Sequence, residues 1–351
     1  MKAAIVEKPG SLVVRRIPDP VPGDYDALCE LLYGATCTGT DSHIIRGEFP
    51  FPIAYPAILG HESVGRVIKV GNRVRSFKPG DLVARVSTPA AADGSVGIAW
   101  GGFAEYGLAH DHAAMKADGL PESAWTGSRV NQVVPPSVDP RVAPMFTTWR
   151  ETLSYVARMG IVAGASVLVV GSGGNGLSFA AHAALRAASA VWMVGSARCE
   201  MGARALGISG FLDYRRADCV TRLQEACPEG FDFIIDAVGK AGQADRFLPL
   251  LAAGGTIGIY GLDDFAAVGL SPRLARGSFT VWNGGYDEAE THDAISGLVL
   301  DGRLDARVWY DVDRPWPLDS ILEAFRSLWK PVDRESGRTY APVKALIALK
   351  A

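Results

Sequence analysis

A glycine-rich segment in the middle of the chain constrains the fold more than any other feature of the sequence. The segment matches the pattern G-x-G-x-x-G, follows the β-branched run Ser166–Val170 and precedes the alanine-rich stretch Leu177–Ala188. A strand before and a helix after are the context in which this pattern binds the diphosphate of a dinucleotide at a helix N-terminus. The residues predicted to form this phosphate loop are Gly171, Ser172, Gly173, Gly174, Asn175 and Gly176.

The chain of 351 residues changes character near residue 146. Before this point, short apolar runs alternate with Pro-Gly turns, which predicts a β-rich domain. After it, apolar strands alternate with helical stretches as far as Tyr260, which predicts an α/β domain with a doubly wound parallel sheet. A last strand-like run, Val343–Leu349, is expected to return and complete the first domain.

Composition narrows the classes of partner and compartment. The formal charge of -3 and the pI near 6.1 give no basic surface for nucleic acid or for an anionic membrane. No uncharged apolar stretch reaches ~18 residues, so no membrane span is expected. The 5 cysteines are scattered and contain no C-x-x-C pair, which favours a reducing cytoplasm over a disulfide framework.

The residues after the second strand of the α/β domain indicate which dinucleotide is bound. An NAD site normally carries an acid about 20 residues after the loop, but this strand ends at Gly195 and no Asp or Glu occurs between Gly171 and Cys199. Ser196 can donate a hydrogen bond, and the planar guanidinium group of Arg198 can donate two parallel hydrogen bonds to a phosphate. The alternative is that Arg198 only caps a solvated helix. The missing acid favours NADP.

Two polar segments of the first domain suggest a metal. One contains Cys37, Thr40, Asp41 and His43, and the other contains His61 followed by Glu62. A thiolate, an imidazole and a carboxylate from two loops can give a catalytic zinc three ligands and leave one position open. Each residue alone is more often structural, so the hypothesis depends on the combination.

These segments resemble the zinc-containing alcohol and polyol dehydrogenases of the medium-chain dehydrogenase/reductase superfamily. The resemblance is carried by Gly60-His61-Glu62, Phe77–Val83, Gly101–Tyr106 and the phosphate loop. It implies a GroES-like β-rich catalytic domain from residues 1–147 and 297–351, and a Rossmann domain from residues 148–296. It also implies an active site in the cleft, hydride transfer between a small alcohol, polyol or carbonyl compound and NADP, and a homodimer or homotetramer.

The resemblance assigns a role to each polar residue. His61 resembles the zinc-binding histidine, and Glu62 the adjacent carboxylate that can enter the metal shell. Asp41 resembles the acid that orients the histidine, Thr40 the hydroxyl that takes the alcohol proton, and His43 the residue that passes it to solvent. The residues that resemble the 2′-phosphate pocket of NADP-linked relatives are Gly195, Ser196, Arg198 and Tyr214.

Three departures from the family pattern concern zinc. Thr38 holds the usual cysteine position, so either a residue is inserted after Cys37 or the zinc cysteine is lost. The third ligand falls near Phe146 or Thr147, which do not suit zinc, and Glu151 is a possible substitute one turn further along. The loop of four cysteines that binds a structural zinc is absent, so we expect one catalytic zinc only.

The preferred interpretation is an NADP-dependent alcohol or polyol dehydrogenase with one catalytic zinc. Two alternatives are a zinc-free reductase of the quinone or enoyl type, assisted by Thr40 or Thr38, and a noncatalytic NADPH-binding protein. Retention of Thr40, Asp41, His43 and His61 argues against the second alternative. Four aromatic residues are expected either in the core or along the cleft: Trp100, Trp149, Trp282 and Tyr286.

Overall fold

The computed structural model describes residues 1–330 and 340–350 and divides into two compact units. The first unit holds residues 1–150, 288–330 and 344–350, and the second holds residues 151–287 and 340–343. The sequence predicted the two changes of domain at 147/148 and 296/297. The second change comes earlier because Glu288 forms ion pairs with Arg85 and Arg150 of the first unit.

The described residues form strands and helices throughout. The strands are β1 (Lys2–Lys8), β2 (Ser11–Arg16), β3 (Asp26–Ala35), β4 (Ala57–Ile58), β5 (Glu62–Val70), β6 (Leu82–Ala84), β7 (Gly97–Ile98), β8 (Tyr106–His110), β9 (Gln132–Val134), β10 (Ser166–Val170), β11 (Ala190–Gly195), β12 (Gly210–Asp213), β13 (Phe231–Asp236), β14 (Leu251–Ile259), β15 (Thr280–Trp282), β16 (Trp316–Pro317) and β17 (Leu346–Ala348). The helices are α1 (Thr40–Arg46), α2 (His112–Ala117), α3 (Glu122–Trp125), α4 (Met145–Arg158), α5 (Gly174–Leu185), α6 (Glu200–Ala205), α7 (Cys219–Ala226), α8 (Gln243–Phe247), α9 (His292–Leu300) and α10 (Ile321–Trp329).

The first unit contains two sheets within the described residues. One has the order β2-β1-β4-β7, and the other has the order β16-β17-β3-β5-β6-β9, with β8 also paired to β3. The strand β17 lies antiparallel to β3, so the chain does return to the first unit as its last apolar run predicted. Apolar side chains from the two sheets share one core, which includes Phe103 and Phe325.

The second unit is built on a parallel sheet. Its order is β12-β11-β10-β13-β14-β15, and every neighbouring pair in it is parallel. The strand order reverses direction beside β10, and ligands of such sheets bind at that point, beyond the carboxyl ends of the strands. The phosphate loop follows β10 directly, so the fold places it at this position.

Some predicted elements differ from the observed ones. The helix predicted from Leu177 begins at Gly174, because the last residues of the phosphate loop already form its first turn. The sequence also predicts a helix over Ala241–Leu251, but the helix ends at Phe247 and Leu251 begins β14. It predicts a strand over the short apolar run Phe103–Tyr106, where the structure has an isolated bridge at Ala104 and β8 starts at Tyr106. Among the described helices, none is both long enough and apolar enough to cross a membrane.

Candidate functional site

Three strands of the first unit bring distant polar residues together. Ala35, the last residue of β3, pairs with Glu62 of β5 on one side and with Leu346 of β17 on the other. Cys37 follows the end of β3, and Lys344 precedes the start of β17. Strand register therefore places Cys37, Glu62 and Lys344 around one point, although they are far apart in the sequence.

Cys37, His61 and Glu62 form a group that can hold a metal ion. All three are buried, and one ligand atom from each lies within 4.8 Å of the others. The Oε2 atom of Glu62 is buried and has no hydrogen-bond partner within the described residues. A thiolate, an imidazole and an unpartnered carboxylate oxygen match the ligands that zinc prefers, so these residues fit the ion. The one-residue offset at Cys37 does not remove the thiol from the group.

The other carboxylate oxygen of Glu62 is held by two donors. The Lys344 Nζ atom lies 2.5 Å from Glu62 Oε1, and the Thr148 hydroxyl donates to the same oxygen at 3.0 Å. Burial alone lowers the pKa of Lys344, but the Glu62 carboxylate outweighs it and the pKa is raised. Lys344 is thus held as a cation beside the metal-binding group. The sequence analysis missed this residue, which shows only as a charge between apolar neighbours near the C-terminus.

Asp41 connects the two polar segments. Its Oδ2 atom accepts a hydrogen bond from the Cys37 amide at 2.8 Å, and its Oδ1 atom lies 3.3 Å from His61 Nδ1, off the direction of a good hydrogen bond. Burial lowers the pKa of His61, but Asp41 and Cys37 together raise it well above the usual range. In this position Asp41 can orient the His61 ring, as the resemblance implied.

Two residues behind His61 have unusual backbone conformations. Arg85 has φ of +65° and Trp100 has φ of +66°, values that bulky side chains rarely adopt. Arg85 donates to the His61 carbonyl and to Glu288, and the Trp100 ring centroid lies 5.5 Å from that of His61. The sequence analysis did not identify Arg85, whose only signal is a charge between apolar neighbours directly after β6.

Thr40 and His43 lie one turn apart on α1, so they share a face of this helix. His43 is buried, and Thr40 is the first residue of the helix. Within the described residues, no direct hydrogen bond joins the two side chains. Their spacing permits a proton relay, but a substrate hydroxyl or water has to complete it.

The structure does not bring Glu151 into the metal-binding group. Glu151 belongs to the second unit, where its carboxylate accepts a hydrogen bond from the Tyr260 hydroxyl at 3.1 Å. Thr147, at the position expected for a third ligand, has a buried hydroxyl without a hydrogen-bond partner in the described residues. Of the four metal ligands that the sequence predicts, Cys37, His61 and Glu62 form the group and Glu151 is not among its members.

The phosphate loop has the geometry that its glycines predict. Gly171 has φ of +114°, and a Cβ atom on Gly176 would lie 2.0 Å from the Gly171 carbonyl oxygen. A Cβ atom on Gly173 would meet no protein atom within 4 Å. The turn and the packing of helix on strand thus require the first and third glycines, while the second faces open space that a diphosphate can approach.

The end of β11 offers donors and no acid. The Ser196 amide donates to the Ser172 hydroxyl at 2.9 Å, which ties this strand end to the phosphate loop. Arg198 is exposed and forms no ion pair with any described residue. A Cβ atom on Gly195 would lie 2.3 Å from the Ser172 Cβ atom. The glycine at the strand end is therefore required for packing, and a carboxylate cannot be placed at this position without a shift.

Tyr214 and Arg215 lie on the adjacent strand end. Tyr214 is exposed, the Arg215 guanidinium stacks over its ring at 5.3 Å, and the Tyr214 amide donates to the Gly195 carbonyl at 3.0 Å. Asp213, opposite Gly195 in the sheet, is turned back to accept from the Arg215 amide at 2.9 Å. The structure thus brings Ser196 and Tyr214 to neighbouring strand ends.

Comparison with known proteins identifies the family. The family described as alcohol dehydrogenase GroES-like domain matches residues 23–121, and the family described as zinc-binding dehydrogenase matches residues 206–332. The NADP-dependent isopropanol dehydrogenase of Thermoanaerobacter brockii is 30% identical over 68% of this chain and 69% of its own. The chain belongs to the medium-chain dehydrogenase/reductase superfamily.

Other members of the superfamily resemble this dehydrogenase over nearly its whole length. The L-galactonate-5-dehydrogenase of Escherichia coli K12 is 28% identical over 93% of this chain and 94% of its own. The 2R,3R-butanediol dehydrogenase of Bacillus subtilis shares the fold, with a TM-score of 0.78 and 20% identity over 99% of both chains. The predicted fold class and the predicted zinc-type alcohol dehydrogenase family are confirmed.

Proposed function

We propose that this dehydrogenase transfers hydride reversibly between an alcohol or polyol and NADP, with one zinc ion held by Cys37, His61 and Glu62. The observation that carries the proposal is the buried group of Cys37, His61 and Glu62, in which one ligand atom from each residue lies within 4.8 Å of the others. When bound, zinc supplies a Lewis acid for the substrate oxygen and NADP supplies the hydride acceptor.

The residues around this group position the ligands and move the proton. Asp41 orients the His61 ring, while Lys344 and Thr148 hold Oε1 of Glu62, which lies 3.6 Å from His61 Nε2. The Thr40 hydroxyl takes the substrate proton as it gives up its own through a water to His43, which lies on the same helix face and passes a proton toward solvent. These assignments use side chains on β5, α1 and α4 and on the segments beside β3, β5 and β17.

The residues proposed to bind NADP belong to the second unit. The amides at the start of α5 and the phosphate loop bind the diphosphate, and Ser196, Arg198 and Tyr214 surround the 2′-phosphate. Support comes from the absence of an acid at the end of β11 and from an NADP-dependent relative that is 30% identical. Arg198 has no carboxylate partner among the described residues, so its charge is available to phosphate.

We also propose a homodimer or homotetramer. In the described part of the sheet, β15 is the last strand, and Val281 on it is 48% exposed. A short apolar edge strand can pair with a second copy of the chain.

One preparation tests both parts of the proposed function. Protein purified without chelators should carry close to one zinc per chain and oxidise a secondary alcohol or polyol with a higher kcat/KM for NADP than for NAD. His61→Ala should lose both zinc and turnover. Arg198→Ala should lower the ratio of kcat/KM for NADP to kcat/KM for NAD by about ten- to a hundredfold, because a charge-assisted hydrogen bond contributes roughly 1.5–3 kcal/mol.

A matched variant and the alternatives complete this test. Arg204→Ala removes an exposed arginine that is paired with Glu200 on α6, and it should leave the ratio unchanged. Ser196→Asp, rather than a carboxylate at Gly195, should shift the preference to NAD, because residue 195 has no room for a side chain. Zinc-free protein that reduces a quinone or an enone would favour the reductase alternative, and NADPH binding without any turnover would favour the noncatalytic one.

A further inference from the structure

Arg85 lies beside the start of β5, next to two of the proposed zinc ligands. Ala84, the last residue of β6, pairs with Val64 of β5, and the amide of Arg85 donates to the Ser63 carbonyl at 2.8 Å. The Arg85 side chain is 15% exposed, and its guanidinium donates to the His61 carbonyl. The pairing of β6 with β5 thus brings this guanidinium to the backbone of the metal-binding group.

The His61 carbonyl belongs to the peptide group that joins His61 to Glu62. Both residues offer a ligand atom to the same metal-binding group. Because a peptide group is planar, a donor that holds its oxygen restricts rotation of the whole plane. Rotation of this plane would turn the two side chains relative to each other. A donor on this one oxygen can therefore fix the relative orientation of two neighbouring ligands.

The Arg85 guanidinium is itself held by a buried carboxylate. Its Nε atom donates to Glu288 Oε2 at 3.1 Å, and Arg150 donates to the other oxygen of Glu288. The side chain of Glu288 is 4% exposed, and that of Arg150 is fully buried. Arg150 also donates to the Gln132 side chain at 2.8 Å and to the Val130 carbonyl at 3.0 Å. A planar guanidinium can bridge two acceptors in a fixed geometry, so Arg85 connects an anchored anion to the ligand backbone.

The backbone of Arg85 has the φ of +65° noted above, in a region that glycine adopts without strain. A strained conformation persists only where the surroundings over-determine it, and such residues concentrate at functional sites. Here the amide of Arg85 bonds to Ser63, and its carbonyl accepts from the Asn131 side chain at 2.9 Å. The protein thus holds an arginine at a position that its own backbone does not favour.

From these contacts we propose that Arg85 is a positioning residue for the metal site. By bridging Glu288 and the His61 carbonyl, it orients His61 and Glu62 for zinc before the ion binds. The inference rests on the proposed zinc site, and it adds a residue that acts on the ion through its ligands. A group that orients a metal ligand typically changes metal affinity by about ten- to a hundredfold when it is replaced.

Zinc affinity of the full chain tests the inference. Arg85→Gly removes the guanidinium and suits the positive φ, so the variant should keep the far-UV circular dichroism of the unmodified protein. After removal of bound metal, its Kd for zinc, measured by competition with a chromophoric chelator, should rise by about ten- to a hundredfold. Arg85→Lys keeps the charge but lacks the planar fork, and it should recover only part of the affinity.

An arginine on β5 provides the matched control. Arg66 also donates to a backbone carbonyl, that of Gly80 at 2.9 Å, so Arg66→Ala should leave the Kd for zinc unchanged. Cobalt in place of zinc adds a second measurement, because its visible absorption bands depend on the geometry of its ligands. At saturating cobalt, these bands should change in position and intensity in Arg85→Gly and not in Arg66→Ala.

The outcomes separate this inference from the proposed function. Equal Kd values and equal cobalt bands in Arg85→Gly and the unmodified protein would overturn the inference, even if the variant unfolds more easily in urea, and would leave the zinc site in place. If Arg85→Gly does not fold, an unchanged Kd in Arg85→Lys overturns it. Zinc binding that Arg85→Gly weakens, without turnover by the unmodified protein, would support the inference and refute the dehydrogenase. Failure of the unmodified protein to bind zinc would refute the zinc site and the inference together.

Discussion

The buried ion pair between Lys344 and Glu62 determines the charge balance of the metal-binding group. Both side chains are 1% exposed, and removal of one partner from such a pair leaves an uncompensated charge in the interior. Before a metal binds, Lys344 is the cation that faces the buried carboxylate of Glu62, and the Thr148 hydroxyl donates to the same oxygen.

Lys344→Met should lower the free energy of unfolding of the metal-free protein by about 3–5 kcal/mol, because it leaves Glu62 buried without its cation. Zinc should recover most of this loss, since the ion neutralises the same carboxylate. The measurement is urea unfolding with and without zinc, in which the added stability due to zinc should be larger for the variant than for the unmodified protein.

An exposed lysine provides the matched control. The Lys350 side chain pairs with Glu30 and is 37% exposed. Lys350→Met should therefore lower the free energy of unfolding by less than about 1 kcal/mol. Glu62→Gln combined with Lys344→Met should restore stability to the metal-free protein. If Lys344→Met unfolds no more easily than Lys350→Met, the buried pair has no stabilising role.

At the scale of a single element, the short helix α2 depends on the residue that precedes it. Asp111 is buried, and its carboxylate accepts from the amides of Ala114 at 2.9 Å, Arg75 at 2.6 Å and Ser76 at 2.7 Å. Burial opposes ionisation of Asp111, but these donors outweigh it and hold its pKa below the usual range. One side chain thus caps α2 and fixes the loop at Arg75 and Ser76 against it.

Asp111→Ala should lower the free energy of unfolding by about 3 kcal/mol at pH 7, because the variant loses a helix cap and several charge-assisted hydrogen bonds. The lowered pKa makes this contribution complete above pH ~4 and reduces it as the pH falls through the folded value. The difference between variant and unmodified protein, measured by urea unfolding, should therefore narrow below pH ~4.

Asp305 offers the control for α2. It is exposed and accepts one backbone hydrogen bond, from the Arg307 amide at 3.0 Å. Asp305→Ala should therefore lower the free energy of unfolding by less than about 1 kcal/mol at any pH. If the difference in free energy of unfolding between Asp111→Ala and the unmodified protein widens in acid, the pKa of Asp111 is not lowered in the folded state.

At the scale of the whole molecule, the two units have separate hydrophobic cores. The core of the first unit includes Phe103 and Phe325, and a core of the second includes Phe231 and Phe247. The metal-binding group belongs to the first unit and the phosphate loop to the second. Neither core contains a proposed zinc ligand, so the fold of each unit is expected to persist without the metal.

Removal of zinc with dipicolinate should abolish turnover but leave the far-UV circular dichroism and NADP binding unchanged. The thermal midpoint should fall by several degrees, since a ligand that binds only the native state stabilises it by mass action. Loss of the circular dichroism signal on chelation would mean that the ion is required for folding.

Patterns formed by neighbouring residues were sufficient to predict much of the fold. The sequence predicts strands over Ser166–Val170, Gly210–Asp213 and Phe231–Asp236, and these bounds agree with those of β10, β12 and β13. Such apolar strands between turns are encoded within a few residues. The phosphate loop was predictable for the same reason, since its turn, its open middle glycine and its helix start all lie within 171–176. The absence of an acidic residue after β11 can likewise be read from the sequence of that segment alone.

Contacts between residues far apart in the chain were decided only by the tertiary structure. The sequence left open whether Cys37 could join a metal group, and the register of β3 against β5 brought it there. Lys344 reaches Glu62 across 282 positions because β17 pairs with β3, and no local pattern records such a contact. Helical spacing suggested Glu151 as a ligand, yet its carboxylate bonds to Tyr260, because strand pairing and burial determine the partners of a side chain.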